Sequence, residues 1–422
     1  MKTEQVNVPT KELRQAEGSF YFLKEKAIAK LKDGQKLGWF EYGDILGKFQ
    51  YEKSLLETLL KSTPKFDRTG TGTLGIHGHQ SRFNLDDGFP LITSKKVNPE
   101  MIIHELLWMM RGETNIKYLV DNNVNIWTDW PFKNWWQHQN PDLKFPKKGT
   151  DQWKEMGMDD SLKGFEQQIK NDSNFAKQWG ELGPVYGKQW RSWEYWTVYE
   201  GDIKKNNPNL GMQVFEDSAH KRAVDQIQEV VNAINNQHKT GVISRRMIVS
   251  AWNAAQIKDM EKSGLPPCHC LFQFHSRLMT LKERKDYYEK TSGLDWAVVE
   301  ILNDDDLDEA NVPVYELDLQ LYQRSCDIFL GVPYNIASYA MLLMMMAQVT
   351  NCKPGTFIHD YGDLHIYTNH MDQITEQLSR EPFVYPTLKL INRGQKIDEF
   401  RPNDFVIENY KHHKFIKGAV AI

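Results

Sequence analysis

Apolar and polar positions alternate with different periods along this chain, and the period changes mark its elements. Tyr51 to Leu60 carries apolar residues at helical spacing and reads as an amphipathic helix. Asn98-Pro99-Glu100 is a helix start, with Asn as cap, Pro in the first turn and an acid beside it. Ile102, Ile103, Leu106, Leu107 and Met110 continue that helix as far as Gly112. Ala337 to Val349 has the length and residue types of a buried helix. Strands are predicted at Arg82 to Leu85, Ile243 to Trp252 and Leu271 to Phe274. The period is clearest at 316–322, where Leu317, Leu319 and Leu321 alternate with Asp318, Gln320 and Tyr322.

Three stretches break this order. Residues 1–48 are rich in Lys and Glu with scattered aromatics, read as one or two short helices in an N-terminal extension of unknown role. Residues from about 131 to 178 (Trp, Lys and Asp) and from about 281 to 313 (with Asp304-Asp305-Asp306) read as surface insertions, since a charge run is usually a solvated face. No apolar run is long enough to span a bilayer. The first residues lack the apolar core of a signal peptide.

Composition narrows the class. In 422 residues, 40% hydrophobic and 26% charged is globular, and 27 Gly with 17 Pro excludes collagen-like or low-complexity chains. A net charge of −4 disfavours a protein that holds nucleic acid by charge, so any bound anion needs a local cluster of cations. Four cysteines, Cys268, Cys270, Cys326 and Cys352, are too few for a disulfide scaffold and suit a reducing compartment, the cytoplasm (of a host, if the source is viral).

Candidate chemistry is sparse. Gly70, Gly72 and Gly75 match the spacing of a dinucleotide-binding turn, but Lys65-Phe66-Asp67-Arg68 does not read as a strand and no helix follows. With Arg68, Thr69, Thr71 and Thr73 the same loop offers a guanidinium, hydroxyls and a flexible backbone, which suits a phosphate; it equally suits an ordinary loop. Cys268-His269-Cys270 lacks the second ligand cluster that a structural zinc site needs, so no metal is expected. Cys268 is either a buried inert thiol or a nucleophile, and Arg245, Arg246 and Arg324 are cations that would lower its pKa. His365 and Tyr367 share one face of a strand, placed to bond a sugar hydroxyl or to sit in a core.

Eight motifs then fall in one order: Phe66-Asp67-Arg68-Thr69-Gly70-Thr71-Gly72-Thr73, His104-Glu105-Leu106-Leu107-Trp108, Gly183-Pro184-Val185-Tyr186-Gly187, Arg245-Arg246, Pro267-Cys268-His269, Gln323-Arg324-Ser325-Cys326-Asp327, Asn335-Ile336-Ala337-Ser338-Tyr339, and Gly362-Asp363 with His365-Ile366-Tyr367. The chain resembles the thymidylate synthase family from residue 49 to Ile422, apart from the two insertions. The resemblance implies an α/β (α+β) fold on a large mixed sheet flanked by helices, paired sheet on sheet in a homodimer. It implies dUMP as acceptor, 5,10-methylenetetrahydrofolate as co-substrate, and no nucleic acid, membrane or metal in catalysis.

Carried over by position, Cys268 would add to pyrimidine C6 and His269 would stand beside it in the catalytic group. Glu105 would organise water for proton transfer, and Tyr186 would assist loss of the C5 proton. Arg68, Arg324 and Ser325 would hold the phosphate, with Arg245 and Arg246 from the other subunit. Asn335, with Gln323, would read the uracil, and His365 and Tyr367 would hold the ribose 3′-hydroxyl. Asp327, Trp127, Trp130, Leu265, Gly331, Tyr334 and the tail residue Ala421 would form the folate pocket. Thr128 and Tyr334 depart from the usual family residues. Water admitted there would turn reductive methylation into hydroxymethylation, giving 5-hydroxymethyl-dUMP and tetrahydrofolate, so that product stands as the alternative. A binding module that kept the fold and lost the chemistry would be expected to have lost one of Cys268, Glu105, Tyr186 or Asn335.

Overall fold

A computed structural model describes residues 10–33, 48–67, 70–198, 219–263 and 266–420. Among the described residues the strands are β1 (Thr63–Lys65), β2 (Thr73–Asn84), β3 (Trp193–Val198), β4 (Ala219–Val224), β5 (Ile248–Ser250), β6 (His269–Leu278), β7 (Tyr315–Asp327), β8 (Cys352–Tyr367), β9 (Thr387–Leu390) and β10 (Phe405–Glu408). Six of them make one mixed sheet in the order β1-β2-β8-β7-β6-β5, in which β7 and β8 are parallel and the other neighbours antiparallel. The expected mixed α/β architecture is therefore present.

A parallel pair needs a crossover, and the helix Val332–Val349 supplies it. Pro333 lies in its first turn, where the missing N–H costs nothing. Its faces are buried almost all round because it packs between the sheet and the helix Pro99–Met110. That second helix starts as its sequence indicates, with Asn98 Oδ1 accepting from the Glu100 N–H at 3.1 Å. Ile102, Ile103, Leu106 and Leu107 go into the core, leaving Glu105 half-buried on another side.

The alternation in β7 holds. Leu317, Leu319 and Leu321 are fully buried, while Gln320 and Tyr322 face outward. Burying three leucines is worth roughly 5 to 9 kcal/mol relative to leaving them exposed, and a one-residue slip would forfeit all of it. This fixes the register that carries the site.

Elsewhere the structure departs from the pattern. Of the strand expected at Ile243 to Trp252, only Ile248–Ser250 pairs. The residues before it are held by local turns, with Ile248 N–H donating to Arg246 O at 2.9 Å and Arg246 N–H to Ser244 Oγ at 3.2 Å. Within the N-terminal extension, Thr10–Asp33 is one continuous helix. The first insertion is not all surface: Phe132, Trp153 and Phe165 are buried as part of the main hydrophobic core, with the Phe132 and Phe165 rings 5.7 Å apart. In the second, Asp304 and Asp308 are exposed as expected, yet both grip the buried Arg284 at 2.6 and 2.5 Å.

Candidate active site

Strand pairing assembles the reactive centre. Cys268 precedes β6, and the Arg324 N–H on β7 donates to its carbonyl at 2.9 Å. The Arg324 guanidinium then folds back, donating to Pro266 O and Pro267 O at 2.9 Å each and standing 3.8 Å from Cys268 Sγ. It also lies 5.5 Å from the Trp252 ring. Burial pushes the Cys268 thiol above its ordinary value, and Arg324 offsets part of that. The thiol is half-buried, unpaired and beside a fixed cation, a setting in which a thiolate is stabilised once it forms.

Tyr186 opens a short helix, Tyr186–Arg191, and its hydroxyl accepts from the Cys268 N–H at 2.9 Å. Gly187 permits this placement, since a Cβ there would sit 2.4 Å from Met109 O on the helix Pro99–Met110. The same close approach brings Glu105 to the site. Trp127 Nε1 donates to Glu105 Oε1 at 2.7 Å, and the Trp127 ring lies 5.8 Å from Tyr186 and 5.6 Å from Trp130. Burial lifts Glu105 to about 7, against the opposing Trp127 hydrogen bond. Burial also pulls His269 down to about 4, with Asn335 opposing, so this imidazole is neutral near pH 7.

An amide chain crosses the sheet. Gln323 Nε2 donates to Asn335 Oδ1 at 3.2 Å and to Ser325 O at 3.0 Å, while Gln323 Oε1 lies 2.9 Å from His359 Nε2. At the ends of β7 and β8, Asp327 pairs in register with His365. Asp327 Oδ1 accepts from the Phe329 and Leu330 N–H groups at 3.0 and 3.1 Å, and the Gly331 N–H donates to Asp327 O at 3.1 Å. Burial works against the His365 cation, but the hydrogen bond to Asp363 and the charges of Asp327 and Asp363 outweigh it and hold its pKa above the ordinary value. Its ring stands perpendicular to Tyr367 at 5.2 Å. Burial raises the pKa of the Tyr334 hydroxyl, and the nearby Asn98 backbone opposes the shift.

Cys268, His269, Tyr186, Glu105, Trp127, Trp130, Asn335, Gln323 and Arg324 are thus linked by direct contacts, and Asp327, His365 and Tyr367 lie together at the strand ends. Arg245 and Arg246 are exposed ahead of β5. Arg68, Leu265 and Ala421 lie outside the described residues. Three neighbours escaped the sequence reading: His359, Trp252 and Lys95, whose ammonium donates to Phe329 O and sits 3.6 Å from that ring. His359 and Trp252 stand in apolar strand-like runs that give no sign of a polar contact, and Lys95 beside Lys96 reads as an exposed pair. Among the described residues, no group of three or more His, Cys, Asp or Glu is placed to hold a metal, and no helix is long and apolar enough to cross a membrane.

Comparisons with known proteins point to one family. The family model described as thymidylate synthase matches residues 49–422. A thymidylate synthase of Mycoplasma mobile is 41% identical over 373 residues, covering 88% of this chain and 99% of the relative. One from Malacoplasma penetrans is 40% identical over 382 residues, covering 90% and 99%, and one from the Aster yellows witches'-broom phytoplasma is 39% identical over 362, covering 86% and 96%. With a match of that extent laid over a thiol, a carboxyl, a phenol and an amide brought together by β6, β7 and their flanking helices, the chain belongs to the thymidylate synthase family.

Proposed function

We propose that the chain catalyses reductive methylation of dUMP to dTMP, with 5,10-methylenetetrahydrofolate as co-substrate and dihydrofolate as the second product. The observation that carries this reading is the contact set around Cys268: Arg324 at 3.8 Å from Sγ, and Tyr186 Oη at 2.9 Å from its N–H. The site suits its ligands. His269 Nδ1 and Thr128 Oγ1 are buried polar atoms with no partner among the described residues, and Asp327 is a carboxylate fixed by backbone donors at the end of β7. When bound, the folate supplies the one-carbon unit and then the hydride that reduces it.

The protein's part follows from its side chains. Cys268 Sγ adds to C6 of the pyrimidine, and the negative charge that develops on the uracil oxygen needs placed donors. Asn335, oriented through Gln323 and His359, is the residue assigned to the base edge; an amide both donates and accepts, as uracil requires. Glu105, poised near pH 7, holds a proton that water can relay, and Tyr186 assists departure of the C5 proton. Arg68, Arg324 and Ser325 hold the phosphate, His365 and Tyr367 the ribose hydroxyl, and Asp327 with Trp127, Trp130, Leu265, Gly331, Tyr334 and Ala421 the folate. Hydroxymethylation is not favoured, because the relatives carry the synthase name.

Two copies pair sheet on sheet in this reading. The outward face bears Ile248, Leu271 and Tyr322, 45%, 39% and 41% exposed, and Arg245 and Arg246 stand at its edge within reach of a partner. The cytoplasm is the proposed compartment, supported by four cysteines that are all free thiols. The test is turnover of dUMP with methylenetetrahydrofolate, reading dihydrofolate by absorbance and the nucleotide by mass. One dTMP per dihydrofolate is expected, together with loss of turnover but retention of dUMP binding in Cys268→Ala. 5-Hydroxymethyl-dUMP with tetrahydrofolate, or an active Cys268→Ala, would overturn the reading.

A further inference from the structure

The second insertion encloses a cavity against the body of the domain. One wall is the helix Leu281–Ser292 with the turn at Asn311, and the other is the C-terminal end of the crossover helix Val332–Val349 with Leu390 of β9. The cavity volume is about 420 Å³. Small-molecule sites run from about 300 to 1,000 Å³. Its walls are fastened to one another: Asn351 Nδ2 donates to Asn311 Oδ1 at 3.0 Å, and Arg277 joins Glu283 of the insertion to Glu316 of β7 at 2.8 Å each. It lies on the crossover-helix side of the sheet, clear of the outward face that bears Ile248, Leu271 and Tyr322.

The lining differs from the rest of the chain. Charged residues make up 26% of the sequence, yet among the described residues none that lines the cavity is Lys, Arg, His, Asp or Glu. A phosphate or carboxylate buried without a cation is costly, so nucleotides and folates are poor occupants and a neutral molecule is a good one. The cavity offers side-chain amides instead, from Asn311, Gln348, Asn351 and Asn392, and the aromatic rings of Tyr287 and Tyr288. Amides pair with the neighbouring carbonyl and N–H groups on the edge of a heterocyclic base, and aromatic rings stack on its face.

Gln348 is the most informative of these residues. It ends the apolar run Met341–Ala347, and its Nε2 is buried with no partner among the described residues. The last torsion of Gln is soft, so a ligand carbonyl in the cavity that this side chain lines can draw the N–H₂ toward it and relieve the unpaired donor. We propose that the cavity is a second binding site, for an uncharged nucleobase or nucleoside, separate from the site around Cys268.

The experiment is equilibrium dialysis of the full chain against labelled uracil and labelled thymidine, with dUMP at saturation so that the site around Cys268 is filled. One bound molecule per chain is expected. Binding of both probes assigns the cavity to the free base, and binding of thymidine alone assigns it to the nucleoside. dTMP, which adds a phosphate that no cation meets, should bind there at least about tenfold more weakly than thymidine. Gln348→Met should weaken binding about tenfold, the worth of one hydrogen bond to a buried donor. Ala310→Trp, on the exposed rim, fills the cavity from the insertion side and should abolish binding, so a folding failure of the Gln348 variant does not remove the test. Both variants should leave dUMP turnover unchanged. Amide exchange should slow on binding over 281–313 and the end of the crossover helix. No binding of either probe up to about 1 mM, binding only when dUMP is left out, equal affinity for dTMP, or unaltered binding in both variants would overturn the second site.

Discussion

Replacing Glu105 by Gln should make the protein more stable and less active, and the stability gain should appear only above a definite pH. Burial holds the Glu105 carboxyl near 7 against an ordinary 4.5. The folded protein therefore keeps a proton that the unfolded chain gives up from about pH 4.5. Between the two values folding binds more protons than unfolding, so the Glu105 contribution to stability falls as pH rises through that window and is level beyond it. A difference of about 2.5 pKa units at 1.36 kcal/mol each comes to about 3 kcal/mol. Gln has nearly the same shape, still accepts from Trp127 Nε1 through its amide oxygen, and cannot titrate.

The assay is urea unfolding of parent and variant at one fixed protomer concentration, from pH 4 to pH 8. The two stabilities should converge at the acid end and separate by about 3 kcal/mol in favour of the variant at pH 8. Glu52 is also buried and held near 7, but it is common to both proteins and cancels in the difference. Turnover of the variant should fall by roughly a hundredfold or more, the usual worth of a positioned proton-transfer group. Parallel stability curves, or a variant that loses more stability than the parent at high pH, would refute the account of Glu105 as a desolvated carboxyl.

Arg324→Leu removes the cation that partly offsets burial at Cys268, so the thiol pKa should rise further and alkylation by iodoacetamide at pH 8 should slow several-fold; an unmoved pH midpoint would contradict the pairing. Asn335→Asp should shift preference from dUMP toward dCMP, and an unchanged ratio of their kcat/KM values would count against the base-reading role. Arg284→Ala leaves Asp304 and Asp308 without their shared partner, and both are exposed enough to hydrate, so the loss should be local and about 1 to 3 kcal/mol. Amide hydrogen exchange should quicken over 281–313 while dUMP turnover persists; uniform acceleration across the chain would show that the insertion is part of the main cooperative unit.

Much of the candidate site was legible because its residues sit in motifs that keep one order along the chain. Cys268, Tyr186, Glu105 and Asn335 were named from sequence, and the fold brings them together. The direction of their electrostatics was harder to read. Arg324 suggested a thiol with a lowered pKa, yet burial outweighs it in the free protein. His269 stood in the catalytic group, and its surroundings keep it neutral. Desolvation depends on everything packed around a group, and no local string of residues contains that sum.

Local periodicity was enough to determine the helix Pro99–Met110 and the strand β7, because each buries a face repeated every three to four or every two residues. The buried crossover helix was legible from residue type and length alone. Pairings across long separations were not: His359 beside Gln323, Lys24 beneath Ser62, and the acidic run that grips Arg284 from twenty or more residues away. The strand expected at Ile243 also shortened once local turns claimed its first hydrogen bonds. The sequence by itself determined which elements form and which chemistry the chain can carry. Tertiary structure decided which side chains share a desolvated space, and with that their charge states and their hydrogen bonds, since burial and long-range contact exist only after the chain has closed on itself.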